Sequence, residues 1–247
     1  MITEDNIAER QGGMIDEQSI ASTTNNRQFG NIGLNVHIFT HLERRPRENQ
    51  GPGSQNSYLE NVVGIEEDNG IEERGGTNSI INHASVFETK GNGITTDAGA
   101  LKILGGTYPA SPLPLSTHVT NSLLTGADGY GVYFTDQASF GVDHSNLFNN
   151  SHDFYPGSSP TYTNNMSKDP GLGSCKVFIP DGSPMKGMGQ NGEDVGANIV
   201  CRYENGVLQV GNPLWDPATG QFPCGAIYHG INDLSGESCF DVNKRLK

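Results

Sequence analysis

The 247-residue sequence predicts an all-β protein built from stacked coils of short parallel strands. Segments of twenty-odd residues repeat along the chain, and their apolar stretches are short and rich in Val, Ile, Phe and Tyr. Glycine supplies 33 residues, nearly twice its usual share of about 7%, whereas charged residues make up only 17%. This composition favours many short elements joined by turns over long salt-bridged helices.

The repeats follow one template: a short apolar stretch, an Asn, a second apolar stretch, a polar tip, a Gly and then an alternating strand. Residues 58–76, 79–99 and 118–138 fit it, a fourth copy begins at Phe140, and residues 31–41 suggest an earlier coil. None of these stretches shows a helical period, and the leucine-rich pattern is absent. Because parallel crossovers are right-handed, we expect a right-handed parallel β-helix, a solenoid, over residues 1–200.

The turns and the closing segment carry a resemblance to a known group. The turns read NGI at 69–71, NGI at 92–94 and YGV at 130–132, and the closing segments read DPGLG at 169–173 and FIPDGSPMKGMGQNGEDVGA at 178–197. Over residues 31–198 the chain resembles uncharacterised secreted bacterial members of the pectin-lyase-like superfamily, in which the last segment forms the final coil. Characterised members are mostly polysaccharide lyases and hydrolases.

The resemblance does not extend to the catalytic motifs of that superfamily. The polygalacturonase-type NTD, GHG and R-x-K motifs are absent from the sequence. Arg44 and Pro46 fit the start of the pectate-lyase R-x-P-x-x-R motif, but Asn49 stands where its second Arg belongs. Val142, Asp143 and His144 are faintly similar to another pectate-lyase segment, of a kind that is common in β-helix strands. The resemblance therefore implies a fold and transfers no functional residue.

Alternation along the predicted strands gives a candidate site. Side chains alternate between the two faces of a strand, so if Ile71, Ile94 and Val132 point inward, their neighbours point outward. The outward residues on consecutive coils are then Glu72 with Arg74, Thr95 with Asp97, and Tyr133 with Thr135. An earlier coil adds His37. We therefore take Glu72, Asp97, His37 and Arg74 as candidate catalytic residues. Tyr133 and the basic excursion Arg44, Arg45 and Arg47 are candidate substrate-binding residues.

Two chemistries and one structural alternative suit this predicted face. Glu72 and Asp97 would lie about 8 Å apart, which suits an inverting glycosidase. A lyase would instead use Arg74 or a bound cation to neutralise a uronate carboxylate, and His37 or Tyr133 to take the proton next to it. In the alternative, the face is simply solvated and Arg74 and Asp97 form a structural ion pair.

The four cysteines lie in the last third of the chain and lack C-x-x-C spacing, so two disulfides are favoured over a zinc site. Sequence-local pairing would join Cys175 with Cys201 and Cys224 with Cys239. We expect residues 201–247, which contain Cys201, Cys224 and Cys239, to form an irregular capping tail packed on the solenoid. Disulfides imply an extracellular or periplasmic parent protein, although no signal peptide opens the sequence. Four reduced cysteines in a cytoplasmic protein are the alternative.

A net charge of −13 argues against nucleic-acid partners, and no apolar stretch is long enough for a membrane span. No cofactor is expected; the acidic turn Glu66, Glu67 and Asp68 is the place where Ca²⁺ would bind, but it lacks the spaced EF-hand pattern. The N-terminal end of the solenoid is expected to be a break in a longer protein or a homodimer interface. The functional expectation is an extracellular protein that recognises or processes polysaccharide; the rival is a non-catalytic structural or adhesive module.

Overall fold

The computed structural model describes about half of the chain. The described residues are 2–4, 7–9, 27–34, 38–39, 56, 58–65, 71–74, 78–87, 99–104, 116–134, 139–155, 161–172, 179–180, 182–199 and 201–213. Within these ranges nearly all regular structure is β-strand, and the single helical element is the 3₁₀ turn Gln190–Gly192. The fold of the described part is therefore all-β, as predicted.

Eighteen strands, numbered in chain order, form three parallel sheets. Sheet A contains β1 (Ile2–Glu4), β3 (Arg27–Phe29), β6 (Tyr58–Glu60), β9 (Ser79–Asn82), β12 (Ser116–Thr120), β15 (Ser139–Asp143) and β18 (Thr161–Thr163). Sheet B contains β2 (Ile7–Glu9), β4 (Ile32–Leu34), β7 (Val63–Ile65), β10 (Ser85–Phe87), β13 (Leu123–Thr125) and β16 (Asn146–Phe148). Sheet C contains β5 (Ile38–Phe39), β8 (Ile71–Arg74), β11 (Gly99–Leu104), β14 (Tyr130–Phe134) and β17 (His152–Phe154).

The chain visits the three sheets in turn, and each strand pairs in parallel with the strand one coil away. This topology is compatible with a β-helix or solenoid. A separate antiparallel hairpin follows, made of β19 (Cys201–Glu204) and β20 (Val207–Pro213). Residues far apart in sequence thus become neighbours at the spacing of paired strands, about 4.8 Å.

The three sheets enclose a common apolar core. Sheet A contributes the aligned row Leu59, Ile81, Val119 and Val142, and every member of this row is at most 1% exposed. The other sheets contribute Val86, Leu124, Leu147, Ile71 and Val132. Each fully buried aliphatic side chain contributes about 1.5–3 kcal/mol relative to an exposed one, so the alternation of apolar residues drives the coiling.

In the described part of the chain, a sharp corner follows each strand of sheet A from β3 to β18. The corner residue has a positive φ each time, and the residues that occupy it are Gly30, Asn61, His83, Asn121, His144 and Asn164. Gly, Asn and, to a lesser degree, His tolerate this left-handed conformation better than β-branched residues. Of the Asn residues that recur in the repeats, Asn61 and Asn121 occupy this corner, whereas Asn82 precedes it on β9 and Asn146 follows it on β16.

The following corner position carries a second polar ladder. The Ser122 hydroxyl accepts the Ala84 N–H, the Ser145 hydroxyl accepts the Ser122 N–H, and the Asn165 amide oxygen accepts the Ser145 N–H. These buried N–H groups would be costly to leave without partners. The ladder therefore satisfies, from one coil to the next, backbone groups that the turn removes from the sheets.

The segment predicted to be the final coil has a different role. Residues 179–180 and 182–199, called here the docked loop, add no strand to any sheet and lie over the A–B corners of three earlier coils. The loop closes on itself, because the Ile179 N–H donates to Asn198 and the Val195 N–H to the Met185 carbonyl. Its apolar side chains Ile179, Met185 and Val195 are almost fully buried.

One further prediction needs correction. The residue that pairs with both Ile71 and Val132 is Leu101 of β11, where Ile94 was expected, and Ile94 itself lies outside the described residues. The strands β1 and β2, which precede the first clear repeat, pair with β3 and β4. Cys175, Cys224 and Cys239 lie outside the described residues, as does the side chain of Cys201, so the disulfide tail stays a prediction.

Candidate functional site

The outer face of sheet A collects most of the polar side chains that the described residues bring together. Two rows of outward residues run across its strands, called here the polar face. The first row is Arg27, Tyr58, Ile80, His118, Gly141 and Thr161. The second row is Phe29, Glu60, Asn82, Thr120, Asp143 and Thr163. The inward residues between these rows form the core, which fixes the direction of both.

Tyr58 and Glu60 form the first polar group of this face. The Tyr58 hydroxyl donates to Oε2 of Glu60 over 2.8 Å. Partial burial, together with the nearby Glu60 carboxylate, raises the pKa of Tyr58 to about 12. The phenol is therefore protonated at neutral pH and serves as a hydrogen-bond donor rather than as a base.

Asn82 links this group to the next coil. Its strand partner on the preceding coil is Glu60, and its Oδ1 accepts the Thr120 hydroxyl at 2.9 Å and the Asn121 amide at 3.1 Å. Asn121 is 2% exposed and holds a corner position with φ 48°. One amide side chain thus joins two neighbouring coils beneath the polar face.

The docked loop adds a carboxylate at the border of the face. Oε2 of Glu193 accepts the Asn121 amide at 2.9 Å and lies 3.2 Å from Nε2 of His83. Oδ1 of Asn121 accepts the Gln190 N–H at 2.7 Å, while Nδ1 of His83 lies 3.3 Å from the Gly196 carbonyl oxygen. The side chain of Glu193 remains 52% exposed, so it is held in place and still reaches solvent.

Asp143 is the centre of a second polar group, toward the last coil. Its Oδ1 accepts the Thr163 hydroxyl and, at 3.3 Å, the Asn164 amide. Nδ1 of His144 lies 2.9 Å from Oδ2, but off the direction of a well-formed hydrogen bond, so we treat this contact as electrostatic. Burial alone would raise the pKa of Asp143; the Thr163 hydrogen bond and the His144 imidazole outweigh it, and the pKa is lowered.

His118 lies between the two groups and covers Gly141 of the neighbouring strand. A Cβ atom at position 141 would come within 2.8 Å of Nδ1 of His118, so glycine is what allows the ring to lie there. His118 is exposed, and Ile80 beside it is 38% exposed. Together with Tyr58 they form a stripe of ring and aliphatic surface along the first row.

The predicted site stays a prediction, because most of its residues lie outside the part of the chain that the structure describes. His37, Arg44, Arg45, Arg47 and Asp97 lie outside the described residues, as do the acidic turn 66–68 and Thr95. The backbones of Glu72 and Arg74 lie on β8, where Lys102 and Leu104 are their partners on β11. The predicted opposition of Arg74 and Asp97 was therefore wrong in register.

Tyr133 lies on β14 but is only 8% exposed. Its ring packs 4.6 Å from Tyr155 and 5.9 Å from Tyr130, and Tyr130 in turn stacks on His152. Such aromatic pairs add about 0.5–1.5 kcal/mol beyond the area they bury. Tyr133 therefore contributes to packing on sheet C, and its proposed contact with substrate stays a prediction.

The sequence did not predict the polar face as a site, because its residues were interpreted as structural or were not among the candidates. The Asn recurrence and the segment Val142, Asp143, His144 were visible signals, whereas Glu193 had none, since its partners lie 72 and 110 residues away. In the described ranges no group of three or more His, Cys, Asp or Glu residues could hold a metal ion. In those same ranges no helix has the length and apolarity to cross a bilayer.

No protein-family model matches the chain, and searches of curated proteins and of solved structures found no match.

Proposed function

We propose that this chain is a right-handed parallel β-helix of the pectin-lyase type that recognises carbohydrate on the polar face of sheet A. The observation that supports this most directly is the set of polar side chains held by hydrogen bonds on adjacent coils: Tyr58 bonds to Glu60, and Asn82 bonds to Thr120 and Asn121, which in turn bonds to Glu193. Saccharide hydroxyls need donors and acceptors held at fixed spacing, with apolar surface beside them. Tyr58 and Ile80 supply that surface.

Recognition is favoured over turnover at this face. The lowered pKa of Asp143 keeps its carboxyl ionised at neutral pH, so it is a poor general acid, and the raised pKa of Tyr58 makes it a poor general base. Hydrolysis would have to rest on Glu60 and Glu193. The rival function is a structural or adhesive module without turnover. The observation that supports it is that the polar side chains of the face already form hydrogen bonds with one another.

Other expectations remain part of the proposal. The parent protein would be extracellular or periplasmic, with Cys175 paired to Cys201 and Cys224 to Cys239, and with no cofactor. These expectations follow from the cysteine content and the resemblance.

The test is a binding and activity panel with the intact chain. Isothermal titration against soluble neutral and acidic polysaccharides should show binding that Asn82→Ala weakens at least tenfold, because Asn82 lies beside Glu60 and holds Thr120 and Asn121 in place. Asp128→Asn, an exposed change between β13 and β14, is the control. Assays for new reducing ends and for unsaturated products separate hydrolase, lyase and binder. Lack of binding to every polymer would refute carbohydrate recognition.

A further inference from the structure

The charge of the polar face restricts the class of saccharide that it can bind. The face and its border carry the carboxylates of Glu60, Asp143 and Glu193, and the guanidinium of Arg27 is the one permanent cation in the described rows. The neighbouring Lys186 does not change this balance, because its Nζ lies 2.8 Å from Asp194. At neutral pH the face is acidic, in keeping with the net charge of −13 for the whole chain.

The histidines of the face do not reverse its sign. His83 and His144 each lie against a carboxylate of the protein, Glu193 and Asp143 respectively, so a proton on either ring is balanced where it sits. His118 lies over Gly141 with no acidic partner among the contacts described for it. A polymer of uronates usually requires Arg or Lys forks for its carboxylates, and this face offers carboxylates instead.

The groups that the face does offer match hydroxyl-rich, uncharged rings. Glu60 and Glu193 use Oε2 for the bonds described above, and carboxylate oxygens accept further hydrogen bonds from hydroxyl donors. The stripe of Tyr58, Ile80 and His118 follows the coil axis at the spacing of paired strands, about 4.8 Å per step. A chain of sugar rings laid along the axis would place C–H faces on this stripe and hydroxyls on the second row.

We infer that the polar face binds a neutral polysaccharide along the solenoid axis and rejects polyuronates. This rests on the proposed function and names its ligand class. It also separates the protein from the polyuronate chemistry that Arg74 was predicted to serve. A polyuronate would bring one negative charge per sugar against an acidic surface, and each close pair of like charges is destabilising.

The experiment compares two polymers with one backbone: a neutral glucan and the same glucan oxidised at its primary alcohols to uronate. Isothermal titration at low salt should show that the neutral polymer binds at least tenfold more tightly than the oxidised one. At moderate salt the difference between the two affinities should become smaller, because salt screens the repulsion. Glu60→Gln should strengthen binding of the oxidised polymer and so reduce the difference between the two affinities. Asp128→Asn should leave both affinities unchanged.

Each outcome bears on a different claim. If the oxidised polymer bound equally well or more tightly, the inference that the ligand is neutral would be wrong, but carbohydrate recognition would still be supported. An unchanged preference in Glu60→Gln would overturn the assignment to this face. Failure of both polymers, and of the wider panel, would remove the proposed function together with the ligand class.

Discussion

The side chain of Asn121 connects a backbone corner to two other segments of the chain. It occupies a left-handed corner, donates to Asn82 of the preceding coil and to Glu193, and accepts the Gln190 N–H. Its neighbour at the same corner of the next coil is His144, beside Asp143. Residue type at the corner is thus limited first by backbone conformation and then by what the side chain can reach. The corner consequently couples the turn to the polar face.

Replacing Asp143 by Asn should destabilise the protein in a pH-dependent way. The folded-state pKa of Asp143 lies below the ordinary value of 3.8, so its ionised form stabilises the fold above that pH and the contribution is lost as pH falls through the folded pKa. At neutral pH the free energy of unfolding should drop by about 1–2 kcal/mol, since hydrogen bonds to a charged acceptor are lost. Urea denaturation from neutral pH to about pH 2 measures it.

The control for this experiment is Asp128→Asn, which removes an exposed carboxylate elsewhere on the coils. Wild type and the Asp143 variant should converge in stability at the acid end of the series. A difference that stays constant down to that end would show that the charge of Asp143 does not stabilise the fold.

At the scale of elements, the docked loop is held on the solenoid by close backbone approach. The Gly196 N–H donates to the Asn121 carbonyl, the Ala197 N–H to Ser85 Oγ and the Asn198 N–H to Asn61 Oδ1. Nearby, the hairpin of β19 and β20 brings Tyr203 onto Phe29, with ring centroids 5.0 Å apart. The chain thus returns over earlier coils and covers the corner where Ser85 and Leu123 are buried.

Substituting Gly196 by Ala should loosen the docked loop. Gly196 has φ +110°, and an added Cβ would lie 2.9 Å from both Ile179 Cδ1 and Ser85 Oγ. Strained backbone of this kind costs about 1–3 kcal/mol. Hydrogen exchange followed by mass spectrometry should show faster exchange across residues 182–199. Gly182→Ala is the matched control, because nothing lies within 4 Å of its added Cβ, and equal exchange in the two variants would contradict the docking described here.

For the whole molecule, stability comes from one core shared by three sheets. Neighbouring residues on one strand therefore differ sharply in importance: Ile81 is 0% exposed in the core, whereas Ile80 is 38% exposed on the polar face. In a solenoid each coil contacts its neighbours, so damage to a central coil weakens the interfaces on both sides.

We expect Ile81→Ala to lower the free energy of unfolding by about 2–5 kcal/mol, as large-to-small changes in a packed core do. Ile80→Ala, the same chemical change one residue earlier, should cost less than about 1 kcal/mol. Urea denaturation followed by circular dichroism measures both. Equal losses in the two variants would mean that the inward and outward faces of β9 have been assigned wrongly.

The repeat period, the all-β class and the parallel stacking of coils were determined by the sequence itself, because side-chain alternation and turn residues are local properties. The register was not: Gly93 and Ile94 resemble a turn and its strand, yet Leu101 is what pairs with Ile71 and Val132. The local sequence favoured the wrong candidate, since Ile94 directly follows Gly93 as Ile71 follows Gly70 and Val132 follows Gly131, whereas Leu101 follows Ala100.

Only the tertiary structure decided which face is polar and what the segment 179–199 does. Asn121 and Glu193 are 72 residues apart, His83 and Glu193 110, and Asn61 and Asn198 137. A short pattern of residues specifies its own strand or turn, but contacts over such separations depend on how many coils intervene and where the returning chain finds room to pack. The physical reason is that neighbouring residues on the outer surface come from different coils, so they are far apart in the sequence.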